Sequence, residues 1–237
     1  MLERLGRSAE EREAALQAAR RFAADAGHEL RTPLQSVRSN LEIARREGVL
    51  PEQLRIALDT ATSQSDRLEK LVDGLQGLAR GEAGLRTSAG PVDLGDVADG
   101  AVFAARTRHP ELTVDIEAPE SGPVVTGDSD GLWRVVENLV ENAARYGREN
   151  GRIRVTVAPL ADGGAEIFVD DDGTGIPPEE RDRVLERFAR GASANGMGTG
   201  LGLAIVHAEA HRHGGVLTLG ESDLGGLRAR VTVGGGT

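Results

Sequence analysis

The chain has no cysteine, which excludes disulfides, thiolate nucleophiles and cysteine-ligated zinc or iron–sulfur centres and leaves the redox compartment undetermined. Aromatic residues make up only 3% of it, with one Trp and one Tyr, so a core must be built from Leu, Val, Ile and Ala. It has no run of about 18 apolar residues, so no segment reads as a membrane-spanning helix. The acidic, polar N-terminus lacks the pattern of a signal peptide. Excess positive charge is also missing. The 28 basic and 38 acidic residues give a net charge of −10, which argues against a general nucleic-acid binder.

What is present falls into two compositions. Residues 1–80 carry 13 basic and 13 acidic side chains, whereas the rest carry 15 and 25, so the whole negative balance lies beyond residue 80. Glycine is scarce before Gly74 and frequent after it. For 237 residues this predicts two domains, with an α+β fold class in which a helical part precedes a mixed part.

In the first part Leu30, Leu34, Val37, Leu41 and Ala44 recur at spacings of 4, 3, 4 and 3, a heptad seam on a helix running from about Glu10 to Glu47. Gly48-Val49-Leu50-Pro51 breaks it, with Pro51 suited to the start of a second helix. Leu54, Leu58, Ala61, Ser65, Leu68, Val72, Leu75 and Ala79 then repeat the same alternation. A lone hairpin leaves such seams half exposed, and pairing two hairpins into a four-helix bundle covers them, so a homodimer is expected. Residues 80–90 hold three glycines without periodicity and read as a linker. Beyond it, strands are expected at Leu112–Glu117, Ile153–Val157, Glu166–Asp170, Val216–Leu219 and Ala229–Val233, and helices at Asp96–Thr107, Asp130–Tyr146 and Leu201–His213. That alternation describes an α/β sandwich. Its glycine-rich stretch 173–200 is the kind of long loop that carries function.

Four strings carry chemistry. In Ala26-Gly-His-Glu-Leu-Arg-Thr-Pro-Leu34, a mid-helix His28 stands beside Glu29 and one turn before Thr32. Neutral imidazole is a competent phosphoryl acceptor near pH 7, and Pro33 is expected to kink the helix beside it. In Glu137-Asn-Leu-Val-Glu-Asn142-Ala-Ala-Arg145-Tyr146, Asn138 and Asn142 share a helix face. Two poor helix formers there point to a polar ligand or a hydrated metal ion, with a solvated face as the alternative. In Val169-Asp-Asp-Asp-Gly-Thr-Gly175, a strand ends in acids and a Gly-x-Gly turn. A carboxylate there can accept from an adenine amino group, although a calcium-type cluster or a solvated turn has the same composition; EF-hand spacing is absent. In Gly196-Met-Gly-Thr-Gly-Leu-Gly202, alternate glycines feed a helix whose bare amides and dipole favour phosphate. Neither a Rossmann fingerprint nor a P-loop is matched, and a glycine hinge is the alternative.

In this order the four strings resemble the transmitter region of bacterial sensor histidine kinases, over about residues 20–233. His28–Pro33 is similar to the phosphoacceptor box, Asn138 and Asn142 to the N box, Asp171–Gly175 and Gly198–Gly202 to the two glycine boxes, and Arg187-Phe188-Ala-Arg190 to the phenylalanine box. The resemblance implies a dimerisation and phosphotransfer bundle at 23–80, preceded by a signalling helix or membrane-proximal linker at 1–22. A linker at 81–90 and a Bergerat-type ATP-binding domain at 91–237 would follow. It implies that His28 accepts the γ-phosphoryl group of ATP with Glu29 as base or orienter, and that Asn142 and Asn138 hold Mg²⁺. Arg145 would contact phosphate, Tyr146 would lie near the nucleotide, Asp171 would bind the adenine amino group, and Arg190 would approach the γ-phosphate. Gly173 and Gly175, with Gly198, Thr199, Gly200, Leu201 and Gly202, would shape the nucleotide site. Thr32 would border the response-regulator surface and orient a water against the regulator's phosphoaspartate, unless it bonds back to the His28 carbonyl. The implied partners are a second copy of the chain and a response regulator, with membrane attachment only through segments missing from this chain and a position on the cytoplasmic side.

Three residues depart from the family pattern. Asp172 stands where Asn is usual, adding charge beside an anionic nucleotide unless it faces away, and it is the one support for a non-catalytic nucleotide-sensing scaffold. Leu185 replaces an aromatic. Gly27 replaces Ser and softens the helix before His28 by up to about 1 kcal/mol. Hydrolytic relatives of the ATP-binding fold carry a Glu where this chain has Asn138, and Glu137 and Glu141 project from other faces of the helix, so kinase chemistry is expected over water attack. His109 is expected in a solvated loop. His207, His211 and His213 are expected as cations near a helix C-terminus, with a zinc pair at His207 and His211 as a minor alternative.

Overall fold

The computed structural model describes residues 26–27, 29–45, 50–82, 89–161, 163–189 and 200–234. The chain divides into two compact units, Met1–Leu75 and Gln76–Thr237. In the first, residues 29–44 form helix α1, which stays helical through Pro33, and α2 spans Pro51–Glu82. The α2 start at Pro51 is where a residue without a free N–H costs nothing. Small residues fill the interior here, with Ala26, Pro33, Ala57 and Ala61 buried. The seam leucines stay open within one chain: Leu34 is 54% exposed, and Leu41, Leu54 and Leu58 are also exposed.

The second unit begins with β1 (Gly90–Asp93), which pairs antiparallel with β3 (Val124–Gly127). Neither strand was expected. Asp93 then caps α3 (Leu94–Arg108) by accepting from the backbone of Gly95 and Asp96. The main sheet has five strands in the order β2-β4-β5-β7-β6. They are β2 (Thr113–Glu117), β4 (Arg152–Pro159), β5 (Ala165–Asp171), β6 (Leu217–Glu221) and β7 (Leu227–Val233). The β2–β4 pair is parallel and the others antiparallel. Each strand and helix expected beyond residue 90 is present, displaced at its ends by a few residues, whereas the part of the first expected helix before residue 26 lies outside the described residues.

One face of the sheet is apolar. Ile153, Val155, Ile167, Val169, Ala229 and Val231 point into a core shared with α3, α4 (Ser129–Tyr146) and α5 (Gly202–Arg212). The other face carries cross-strand ion pairs, Arg152–Asp115, Arg228–Asp170 and Arg230–Glu166. Helix α4 lies between α3 and α5. Its buried stripe Leu132, Val135, Val136, Leu139, Val140 and Ala143 follows the helical period and fixes which of its polar residues face sideways.

Candidate nucleotide site

The sideways faces of α4 are chemically different. Toward α5 stand Asn138 and Asn142. The Asn138 amide nitrogen donates to the Arg134 carbonyl at 2.8 Å, and its Oδ1 takes no bond among the described residues. Helix α5 opens at Gly202, and the missing side chain is what lets it approach. A Cβ there would stand 3.1 and 3.2 Å from the Asn142 carboxamide atoms and 3.4 Å from Asn138 Oδ1. The structure therefore sets the asparagine pair against Gly202, the last glycine of the second string. Leu201, buried, anchors the turn before α5. Gly200, at φ +66, accepts from the Phe188 N–H at 2.8 Å. A Cβ on Gly200 would run into the Phe188 backbone, and Phe188 itself has φ +60.

Toward α3 stand the acids. Arg108 pairs with Glu137 at 3.2 Å and with Glu141, and the His109 ring reaches Glu141 at 3.3 Å. Both carboxylates are thus held toward the end of α3, turned about 100° around the helix from the asparagines that follow them. His109 is the C-cap of α3, past the helix end as expected, but half-buried rather than solvated, because Glu141, 32 residues away, meets its ring.

The first glycine string closes on the far end of the same helix. At the end of β5, Asp171 is 5% exposed. Its Oδ1 accepts from the backbone of Gly173 at 2.9 Å and of Leu227 at 3.0 Å, and its carbonyl accepts from Gly226 at 3.1 Å. Both side-chain bonds fall on one oxygen, so Oδ2 takes no bond among the described residues. Burial pushes the Asp171 carboxyl above its ordinary pKa, against the pull of the two backbone N–H groups and with the push of Asp172 and Asp170. Gly173 has no room for a side chain, because a Cβ would collide with the Tyr146 carbonyl at the end of α4. Gly175 turns at φ +68. Arg145 and Tyr146 are exposed at that same end. One helix is thus the shared wall of both glycine turns.

Asp172 turns into the α4–β4 connection. Its Oδ1 accepts from the Arg148 N–H at 3.1 Å and its Oδ2 from the Arg152 N–H at 2.9 Å, so its charge is engaged by loop amides. Leu185 packs against the core. His213 is not the expected helix-end cation. Its Nε2 faces the Asp128 N–H at 3.1 Å and its Nδ1 faces the Glu209 carbonyl at 2.8 Å. A backbone donor on one nitrogen and a backbone acceptor on the other require the neutral ring. His207 and His211 are exposed, and the described residues contain no group of three or more side chains able to hold a metal.

Glu29 is half-buried and Thr32 exposed on α1. His28, Arg190, Gly198 and Thr199 lie outside the described residues. Sequence reasoning missed Gly226 and Leu227, whose backbone fixes Asp171. The Gly225-Gly226 pair marked only a turn, with nothing to say which strand end it would touch.

Donors of this kind suit a magnesium nucleotide. Neutral carboxamide oxygens beside the first turn of a helix match an ion that keeps waters and takes phosphate oxygens, and a buried carboxylate with one oxygen unbonded among the described residues suits an exocyclic amino group.

Two family models match the chain. One, described as the His Kinase A (phospho-acceptor) domain, covers residues 18–84, and the other, described as the histidine kinase-, DNA gyrase B- and HSP90-like ATPase, covers 127–235. The sensor-type histidine kinase PrrB of Mycobacterium leprae is 38% identical over 234 residues, 98% of this chain and 52% of that protein. The signal transduction histidine-protein kinase/phosphatase MprB of Mycolicibacterium smegmatis is 43% identical over 213 residues, 87% of this chain and 43% of that protein. The chain spans about half the length of these curated relatives. The solved ATP-binding domain of PrrB from Mycobacterium tuberculosis superposes with a TM-score of 0.54 at 32% identity, over 64% of this chain and 100% of that one.

Proposed function

Since the chain belongs to the sensor histidine kinase family, as a transmitter region of the two-component type, we propose that it phosphorylates His28 from ATP and passes the group to an aspartate of a response regulator. The observation that carries this reading is the two-sided α4. Asn138 and Asn142 face the first turn of α5, while Glu137 and Glu141 are drawn to Arg108 on the other side. Such a site holds phosphates without offering water a base, so the γ-phosphoryl group is kept for an external acceptor.

In this reading Asp171 Oδ2 accepts from the adenine amino group, and Gly173 and Gly175 let the base approach. Asn142 and Asn138 hold Mg²⁺, which when bound offsets phosphate charge. The amides of residues 198–202 and the N-terminal end of α5 cradle the phosphates, with Arg145 beside them and Arg190 near the γ-phosphate. A neutral His28 nitrogen forms the new N–P bond as the bond from the γ-phosphorus to the bridging oxygen breaks. ADP leaves, and Glu29 takes or orients the imidazole proton. Thr32, exposed one turn on, borders the regulator surface and supports a phosphatase activity like that named for MprB. The exposed seams of α1 and α2 support a homodimeric bundle. No described helix is long and apolar enough to cross a membrane; a place at the cytoplasmic face, reached through segments outside this chain, is part of the proposal.

With the Asp172 charge bound into loop amides, the scaffold alternative loses its one support. Incubation with γ-labelled ATP and Mg²⁺ tests the proposal. Acid-labile, base-stable label is expected on the wild type and none on His28→Gln, which keeps its nucleotide affinity. An unlabelled wild type would reject the kinase reading.

A further inference from the structure

At the opposite end of α5 from Gly202 lies a buried ionic cluster that the chemistry above does not use. Glu209 is 2% exposed. Its Oε1 accepts from Arg134 Nη2 at 2.8 Å, and its Oε2 accepts from Arg212 Nε at 2.8 Å and Nη2 at 2.6 Å. Arg212 also reaches Asp128 at 2.7 Å, just before α4 begins. Two acids and two guanidinium groups balance to zero, and the neutral His213 ring bridges the same two segments. The backbone is shaped around the cluster, since a Cβ on Gly131 would collide with the Arg212 guanidinium and approach Glu209 Oε2 to 2.8 Å.

Desolvating four charges is costly, and an apolar seam of equal volume would be at least as stable. What the cluster supplies is register. Helices α4 and α5 run antiparallel, with Glu209 beside Arg134 at one end and Gly202 beside Asn138 and Asn142 at the other. At 1.5 Å per residue, the seven residues from Gly202 to Glu209 span about 10 Å. The four to eight residues from Arg134 to the asparagines cover about 6–12 Å. A slip of α5 by one residue would carry Gly202 off the carboxamides it touches.

We propose that Glu209 is a positioning residue for the nucleotide chemistry: through Arg134 it fixes the register of α5 on α4 and so sets the first turn of α5 against Asn138 and Asn142. The inference rests on the reading of that turn as the Mg²⁺ and phosphate end of the site. It separates the two ends of the nucleotide, because the adenine end is built from Asp171, Gly173 and the β6–β7 turn, none of which the cluster touches.

The test uses the 237-residue chain and titration calorimetry with two probes, a Mg²⁺-loaded non-hydrolysable ATP analogue and metal-free ADP. The double variant Arg134→Met, Glu209→Met removes one opposite-charge pair and keeps Arg212 with Asp128. It is expected to melt at or above the wild-type temperature and to bind ADP within about twofold of wild type, with the analogue weakened about tenfold, or about 1.4 kcal/mol. Should the double variant not fold, Glu209→Gln, which keeps one guanidinium contact, decides the matter with an expected weakening of about threefold for the analogue alone. Unchanged affinity for the analogue would overturn the proposal, and so would a loss of both probes in step with the melting temperature. A wild type whose nucleotide binding ignores Mg²⁺ would overturn the function reading and this inference together, and only that outcome appears without any variant.

Discussion

At Asp171 a carboxylate is kept almost out of water with one oxygen left unbonded by the described residues. Burial holds its pKa above the ordinary value, near 4. A carboxyl raised in this way supports folding fully below its unfolded pKa and loses that contribution as the pH climbs through the raised folded value. At neutral pH the ionised group is therefore a burden on the fold. Asp171→Asn keeps an oxygen for the Gly173 and Leu227 amides and removes that burden, but it presents an amide donor to the adenine amino group. The expected outcome is a higher melting temperature at pH 7–8, a gain that shrinks as the pH falls toward 4, and adenine-nucleotide affinity lowered at least tenfold, as for a lost charged hydrogen bond of about 1.5–3 kcal/mol. Calorimetric melts across pH and a binding titration check both halves. Thr32 gives the second prediction at this scale. Thr32→Ala should leave autophosphorylation near wild type and slow regulator dephosphorylation roughly tenfold, about 1.4 kcal/mol in barrier. Equal losses in both rates and in stability would instead point to a helix-supporting hydroxyl beside Pro33.

Between elements, the β6–β7 turn meets the end of β5 with almost no clearance. Gly226 donates to the Asp171 carbonyl, and a Cβ on it would collide with Asp171 Oδ1 and the Gly173 nitrogen. Gly226→Ala should cost about 1–3 kcal/mol as an overpacked site and displace the Asp171 carboxylate. Nucleotide affinity is then expected to fall about tenfold even where the protein remains folded, which a melt and a titration on one sample can separate. That contact shows where legibility ended. The helix expected at Asp130–Tyr146 is found at Ser129–Tyr146, because six apolar positions at helical spacing leave little freedom. The pairing of Asn138 with Asn142 followed from the same period. The β1–β3 ribbon was invisible because Gly-Pro-Val-Asp and Val-Val-Thr-Gly are too short to show alternation. The destinations of Glu141, Asp172 and His213 depend on groups 20 or more residues distant, and no local pattern encodes such partners. Asp172 shows the error this produces. Read along the chain it threatened the nucleotide, whereas in the fold it fastens a loop.

For the molecule as a whole, the two compositions of the sequence correspond to two ways of burying apolar surface. The second unit encloses its core under three helices and a sheet, while the first leaves Leu34, Leu41 and Leu58 exposed along one chain. Each such side chain contributes about 1.5–3 kcal/mol when fully covered, so a second hairpin is worth several of them. Replacing both Leu34 and Leu41 with Asp should convert a dimer to a monomer by light scattering, with loss of autophosphorylation but retained nucleotide binding, because the nucleotide residues belong to the other unit. A dimer that survives the double replacement would relocate the interface.

The placement of the rare aromatics has a spectroscopic consequence. Trp133 lies against Gly100, where a Cβ would stand 2.7 Å from its ring, and Tyr146 is exposed at the end of the same helix beside Gly173. They are the chain's single Trp and single Tyr. Tryptophan and tyrosine emission therefore comes from α4 alone and follows melting of the nucleotide unit, whereas far-ultraviolet dichroism sums helix from both units. A bundle that loosens first would lower the helical signal while the tryptophan emission stays unchanged, so the two units can be melted separately in one cuvette without a label.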